Sequence, residues 1–203
     1  LDRYVRAKKW DGEIEKKYFG VDVYSKTIGI VGMGRIGRAV AKRASLGFNM
    51  KVLYNKRTRD FQSEKRFGAR YCELAELLGS SDYVCLSVPL TNETRQLIDQ
   101  QELKQMKRNA ILINGGRGPV LNQNALIKAL KDHTILGAGL DVYEEEPLPY
   151  DSELLSLENV VLLPHIGSAT EETRTQMAIC AVDNFRQALL GVKPKNLLNP
   201  ELL

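Results

Sequence analysis

Cysteine is scarce here, and its scarcity excludes several classes of protein. Cys72, Cys85 and Cys180 are odd in number and show no C-x-x-C spacing. That argues against a disulfide framework and against a structural metal site, and it points to reduced, buried thiols in a cytoplasmic protein. Long apolar runs are missing as well. The longest, such as Ala110-Ile111-Leu112-Ile113, are far below the roughly 20 residues that a bilayer-spanning helix needs. No charged stretch followed by an apolar one opens the chain, so no secretion signal is expected. The net charge is only +4, with acids set between the bases. Apart from residues 55–59 there is no basic stripe, and nucleic acid is not an expected partner.

What is present fits one soluble domain: 203 residues, 43% hydrophobic and 27% charged, enough for a substantial core. Strand-like runs at Thr27–Val31, Lys51–Tyr54, Tyr83–Val88, Ala110–Asn114, Ile135–Leu140 and Val160–Leu163 alternate with helical stretches. The clearest of these are Arg35–Leu46, Leu74–Leu78, Gln100–Met106, Asn122–Lys131 and Glu171–Leu190, the last with Thr170 as N-cap. Runs such as Val84-Cys85-Leu86 are apolar on consecutive residues, as in strands covered on both faces. Alternating β and α with such strands predicts an α/β fold with a doubly wound parallel sheet.

The sharpest motif is Gly32-Met33-Gly34-Arg35-Ile36-Gly37, placed after the first strand and opening the first long helix. In a G-x-G-x-x-G turn Gly32 permits the turn, Gly34 admits a pyrophosphate, and Gly37 allows close packing of helix on strand. Arg35 and Ile36 then offer first-turn N–H groups and the positive end of a helix dipole. The helix is expected to stop at Gly47. A tight βα turn with no ligand would also fit these residues, though the strand and helix on either side favour the ligand.

Cofactor choice is expected at the end of the second strand. A carboxylate there accepts hydrogen bonds from an adenine ribose 2′-OH, whereas basic residues accept a 2′-phosphate. This chain has Asn55-Lys56-Arg57-Thr58-Arg59 and no acid before Asp60. NADP(H) is therefore expected, with NAD(H) as the alternative; a solvated basic loop is the other reading of the run. Arg117, Glu146 and His165 each follow a strand, at the edge where a doubly wound sheet places its ligand. An Arg grips a carboxylate, a His trades protons near neutral pH, and a Glu holds that His charged. Taken singly, they are equally a loop ion-pair partner, an exposed acid and a structural imidazole. His133 is expected at the surface.

Six segments carry a family resemblance. They are the glycine motif, Gly47-Phe48-Asn49-Met50, Val88-Pro89-Leu90-Thr91, Asn114 to Val120, Gly139-Leu140-Asp141-Val142-Tyr143, and Pro164-His165-Ile166-Gly167-Ser168-Ala169-Thr170. In this order the chain resembles the D-isomer-specific 2-hydroxyacid dehydrogenases, and within them the bacterial reductases of glyoxylate and hydroxypyruvate that also act on 2-ketogluconate. The resemblance implies a Rossmann NAD(P)-binding domain in which Arg117, Glu146 and His165 are catalytic. Glu146 is singled out from its acidic neighbours because it immediately precedes Pro147. The resemblance adds Val88, Pro89, Thr94, Gly115, Gly116 and Gly167 to the cofactor contacts, with Asp141 at the nicotinamide carboxamide. It implies no metal, a 2-oxo or 2-hydroxy acid substrate, and a homodimer formed through the segment around Trp10 to Tyr24.

The resemblance also divides the chain. Residues 1–26 look like the end of an interdomain helix and a dimerisation arm, 27–170 like the dinucleotide-binding domain, and 171–203 like a helix and irregular tail that return to a substrate domain. The chain begins at Leu1 and is read as a nucleotide-binding fragment of a two-domain enzyme. Two other readings share these motifs: a dehydrogenase of 3-phosphoglycerate or of a branched 2-oxo acid, and an NAD(P)-sensing binding module of the corepressor type.

Overall fold

A computed structural model describes residues 2–202; Leu1 and Leu203 lie outside the described residues. The chain divides into two compact units, residues 1–162 and 163–203. The first unit opens with α1 (Asp2–Arg6), and its core is a seven-stranded parallel sheet. The strands are β1 (Thr27–Val31), β2 (Lys51–Asn55), β3 (Arg70–Tyr71), β4 (Tyr83–Leu86), β5 (Ile111–Asn114), β6 (Gly137–Leu140) and β7 (Val160–Leu162). They lie in the order β3-β2-β1-β4-β5-β6-β7. The order reverses between β1 and β4, the switch point where doubly wound sheets hold their ligands. Between the strands run α2 (Arg35–Phe48), α3 (Phe61–Phe67), α4 (Leu74–Ser80), α5 (Gln100–Gln105) and α6 (Gln123–Lys131).

The period of two in a strand explains the consecutive apolar residues. On one face Ile28 and Ile30 of β1, Val52 and Tyr54 of β2, and Tyr83 and Cys85 of β4 pack with Ala41 and Ala44 of α2. On the other, Val31, Leu53, Val84, Leu86 and Leu112 pack with Leu77 and Leu78 of α4, Leu103 of α5 and Leu126 and Leu130 of α6. Every second side chain thus enters a different core. A Cβ on Gly29 would overlap Leu77 and Ser81, so α4 lies directly on β1 at that point.

Several expectations needed correction. Helix α2 passes through Gly47 and ends at Asn49, which takes the left-handed conformation (φ 50°) while its N–H bonds the Ala44 carbonyl. An Asn side chain tolerates that conformation. Helix α3 and strand β3 went unread. Cys72 and Cys85 are buried, but Cys180 is exposed. Burial pushes the Cys85 thiol up to about 11 and raises Cys72 too, which makes both poor nucleophiles. His133 is exposed as expected, just past the end of α6.

The second unit is built on α7 (Glu171–Leu189), capped as expected by Thr170, whose Oγ1 accepts from the Thr173 N–H at 3.2 Å. The chain beyond it is irregular apart from a turn of 3-10 helix at Pro200–Leu202. No helix of the described residues is long and apolar enough to cross a membrane.

Candidate nucleotide site

The turn after β1 takes the shape its glycines allow. Gly32 has φ +100°, and a Cβ there would lie 2.8 Å from the backbone of Ser87 and Val88. A Cβ on Gly37 would collide with the Gly32 carbonyl oxygen. By contrast, a Cβ on Gly34 would meet nothing within 4 Å, so the space over that residue is open. Gly34 is also the N-cap of α2, with no side-chain cap and no acid in the first turn, where Arg35 and Ile36 are exposed. Uncapped N–H groups without a neighbouring carboxylate suit an anion.

Two further strand ends hold this turn. The Gly32 N–H donates to the Asn55 carbonyl at 3.0 Å, and the Ser87 N–H donates to the Val31 carbonyl at 2.8 Å. Together the ends of β1, β2 and β4 bound a cleft of about 440 Å³. Gly32, Gly34, Asn55, Lys56, Arg57, Thr58, Val88, Pro89 and Thr94 line it, nine of the expected cofactor residues. Met33, Ser87, Thr91, Glu93 and Leu97 line it as well and were not anticipated. For the four after Leu86 the readable signal was position, since that segment leaves the carboxyl edge of the sheet beside the glycine turn. Thr94 Oγ1 donates to the Pro89 carbonyl at 2.6 Å and accepts from the Thr91 N–H at 2.8 Å, which fixes the bend of this loop.

The basic end of the cleft divides its residues sharply. Lys56 and Arg57 line it, but Arg59 turns away to form a bidentate pair with Glu64 (3.1 and 2.7 Å). Asp60 is buried and caps α3, taking Arg38 Nε at 2.6 Å and the Ser63 N–H at 3.2 Å. Burial alone would raise its carboxyl, yet the hydrogen bonds from Arg38 and Ser63 prevail and hold it below the usual range. Asn55 spends its amide on the Cys72 carbonyl at 3.0 Å. Glu93 is therefore the carboxylate on the cleft wall. The Thr91 hydroxyl, its own N–H and the Arg57 charge keep it ionised below the ordinary carboxylate range.

The remaining expected residues are not among those lining that cleft. Gly115, Gly116 and Arg117 follow β5, where buried Asn114 accepts from the Gly116 N–H and donates to the Arg117 carbonyl, both at 3.1 Å. A Cβ on Gly116 would sit 3.3 Å from the Leu86 and Val88 carbonyls, so this loop abuts the β4 loop. The Arg117 guanidinium is exposed and donates to the Gly116 carbonyl at 2.7 Å. Asp141 follows β6, its N–H bonded to the Asn114 carbonyl at 3.0 Å. Of the three consecutive acids, Glu146 accepts from the Tyr143 N–H at 3.0 Å and Glu144 from the Gln123 N–H at 3.1 Å. In the second unit, His165 is exposed and left-handed (φ 53°), and Gly167 is exposed in the following turn. Among the described residues no cluster of His, Cys, Asp and Glu suits a metal ion.

Known proteins bear on this geometry. A family model described as D-isomer specific 2-hydroxyacid dehydrogenase, NAD binding domain, matches residues 1–167. Glyoxylate/hydroxypyruvate reductase B of Serratia proteamaculans (strain 568) is 57% identical over 199 residues, which is 98% of this chain and 61% of that protein. Among solved structures, the TT0316 protein of Thermus thermophilus superposes with a TM-score of 0.90 at 44% identity, covering 97% of this chain and 61% of its own. A glyoxylate reductase from Paecilomyes thermophila superposes with a TM-score of 0.87 at 36% identity, covering 100% and 60%. The chain spans about 61% of the length of the curated relatives it matches. The glycine turn, the strand order and the extent of the match agree: this chain belongs to the D-isomer specific 2-hydroxyacid dehydrogenase family and carries its NAD binding domain.

Proposed function

We propose that this chain is the dinucleotide-binding part of an NADPH-dependent reductase of small 2-oxo acids, with glyoxylate, hydroxypyruvate and 2-ketogluconate as substrates. The observation that carries the cofactor reading is the pair Lys56 and Arg57 on the cleft wall, with Asp60 and Arg59 both engaged elsewhere. The open space over Gly34 and the uncapped first turn of α2 suit the pyrophosphate. The residues present therefore fit the cofactor. Val88, Pro89 and Thr94 would flank it, and Asp141, Gly115, Gly116 and Gly167 would meet its nicotinamide half.

Held by these residues, a reduced nicotinamide would supply the hydride for reduction of a 2-oxo acid at its carbonyl carbon. His165 delivers the proton to the carbonyl oxygen. Glu146 is the acid that pairs with the other nitrogen of that imidazole and fixes its ring. Arg117 holds the substrate carboxylate and stabilises the negative charge that develops on the oxygen. These three roles rest on the order of the motifs in the sequence. The relative named above supports the substrate class, being called a glyoxylate/hydroxypyruvate reductase.

A second copy of the chain is the proposed partner. Trp10, Phe19 and Tyr24 are 60%, 67% and 65% exposed on one short segment, and aromatic groups of that size suit an interface. The three free thiols suit a cytoplasmic site. A panel of 2-oxo acids given to the full-length protein with NADPH and with NADH tests the whole reading. The expected result is turnover of glyoxylate and hydroxypyruvate with NADPH, lowered about 10² to 10⁴-fold in kcat by His165→Gln. Turnover unaffected by that substitution would remove His165 from the mechanism.

A further inference from the structure

Within this dinucleotide reading, the basic end of the cleft carries one feature that a site built only for a 2′-phosphate would not need. Lys56 and Arg57 reach the cleft from the loop after β2, and Glu93 reaches it from the loop after β4. Among the described residues Glu93 is the only acid on that wall. Its loop is held by the bonds of Thr94 Oγ1 to the Thr91 N–H and the Pro89 carbonyl. Glu93 is thus presented from a fixed bend.

We propose that Glu93 is a specificity-determining residue, a carboxylate that weakens the cleft's preference for a 2′-phosphorylated dinucleotide over its unphosphorylated form. The inference rests on the reading of the cleft as a nicotinamide dinucleotide site. Its physical basis is the placement of the Glu93 carboxylate on the cleft wall that Lys56 and Arg57 share. A 2′-phosphate brings nearly two negative charges to that wall, and like charges on one side of a cleft repel. An unphosphorylated ribose meets no such repulsion, and its 2′-OH can donate to a carboxylate. Glu93 supplies from the β4 loop the acid that the β2 loop lacks, so that the two cofactors are brought closer in affinity. Glu93 and Arg57 are both exposed, so the effect is modest and depends on salt.

The test is a fluorescence titration of the 203-residue chain, wild type, Glu93→Gln and Glu93→Asp, with NADPH and with NADH at low and high ionic strength. Glu93→Gln should raise the ratio of the NADH to the NADPH dissociation constant by about 2- to 10-fold, mainly through tighter NADPH, with the gain shrinking at high salt. Glu93→Asp, which keeps the charge, should leave the ratio within about twofold of wild type. An unchanged or lowered ratio in Glu93→Gln, with both cofactors bound by the wild type, overturns this inference and leaves the dinucleotide reading intact. Failure of the wild-type chain to bind either cofactor overturns the dinucleotide reading itself, and this inference with it.

Discussion

Ser87 donates its hydroxyl hydrogen to the carbonyl oxygen of Gly32 at 2.5 Å. That same oxygen lies where a side chain on Gly37 would have to go. One carbonyl thus joins the turn after β1, the end of β4 and the first turn of α2. Ser87→Ala leaves the oxygen without its donor in a partly buried place, and stability should fall by about 1 to 3 kcal/mol. Urea unfolding measures this. A change below about 0.5 kcal/mol would mean that water replaces the hydroxyl.

The glycines of the motif predict a separation of stability from binding. Gly34→Ala fills open space and changes only an N-cap, so the fold should lose no more than about 1 kcal/mol. The added methyl stands in the cradle proposed for the pyrophosphate, and NADPH affinity should fall at least about tenfold. Gly37→Ala must push the Gly32 carbonyl aside and should cost about 3 kcal/mol of stability. Unfolding curves and cofactor titrations on the two variants check the contrast. Intact NADPH binding by Gly34→Ala would move the phosphates elsewhere.

Acid should loosen the first unit through two carboxylates. Asp60 and Asp82 are both held below the usual range. Burial alone would raise each, but Arg38 and Ser63 outweigh it at Asp60, and Lys107 with the Thr27 N–H outweighs it at Asp82. A carboxyl whose folded pKa lies below its unfolded value of about 3.9 adds stability above that pH, and the addition is lost as pH falls through the folded value. Arg38→Ala removes the cation and leaves the Asp60 carboxyl buried, so the acid-unfolding midpoint should move to higher pH. Circular dichroism on stepwise acidification reads the shift, and an unmoved midpoint would exclude Asp60 as a contributor.

Much of the fold was legible because two signals repeat along the chain. Apolar residues on consecutive positions marked β1, β4 and β5, since such strands feed two cores at once. Gly32, Gly34 and Gly37 marked the turn, since each spacing answers a separate steric demand. The unread elements are short, seven residues in α3 and two in β3. Strand β3 is two residues long and is defined by its pairing with Leu53 and Tyr54. Helix α3 is anchored through buried Asp60 to Arg38, 22 residues earlier in the chain. Arg59 looked like a phosphate ligand by position, but a glutamate five residues later claims it. Glu93 is distant in sequence from Lys56 and Arg57, and only the fold brings the three to one cleft. Local composition shows a residue's charge, and only the fold shows which charge it faces.

The central claim is that the cleft beyond β1, β2 and β4 takes a nicotinamide dinucleotide and reads its 2′-phosphate through Lys56 and Arg57. Calorimetric titration of the 203-residue chain with NADPH and with NADH, at one fixed ionic strength, tests it most directly. Two charge-assisted contacts of about 1.5 to 3 kcal/mol each should survive the opposing charge of Glu93 and leave NADPH bound more than about tenfold more tightly. Equal dissociation constants, or tighter NADH, would contradict the claim.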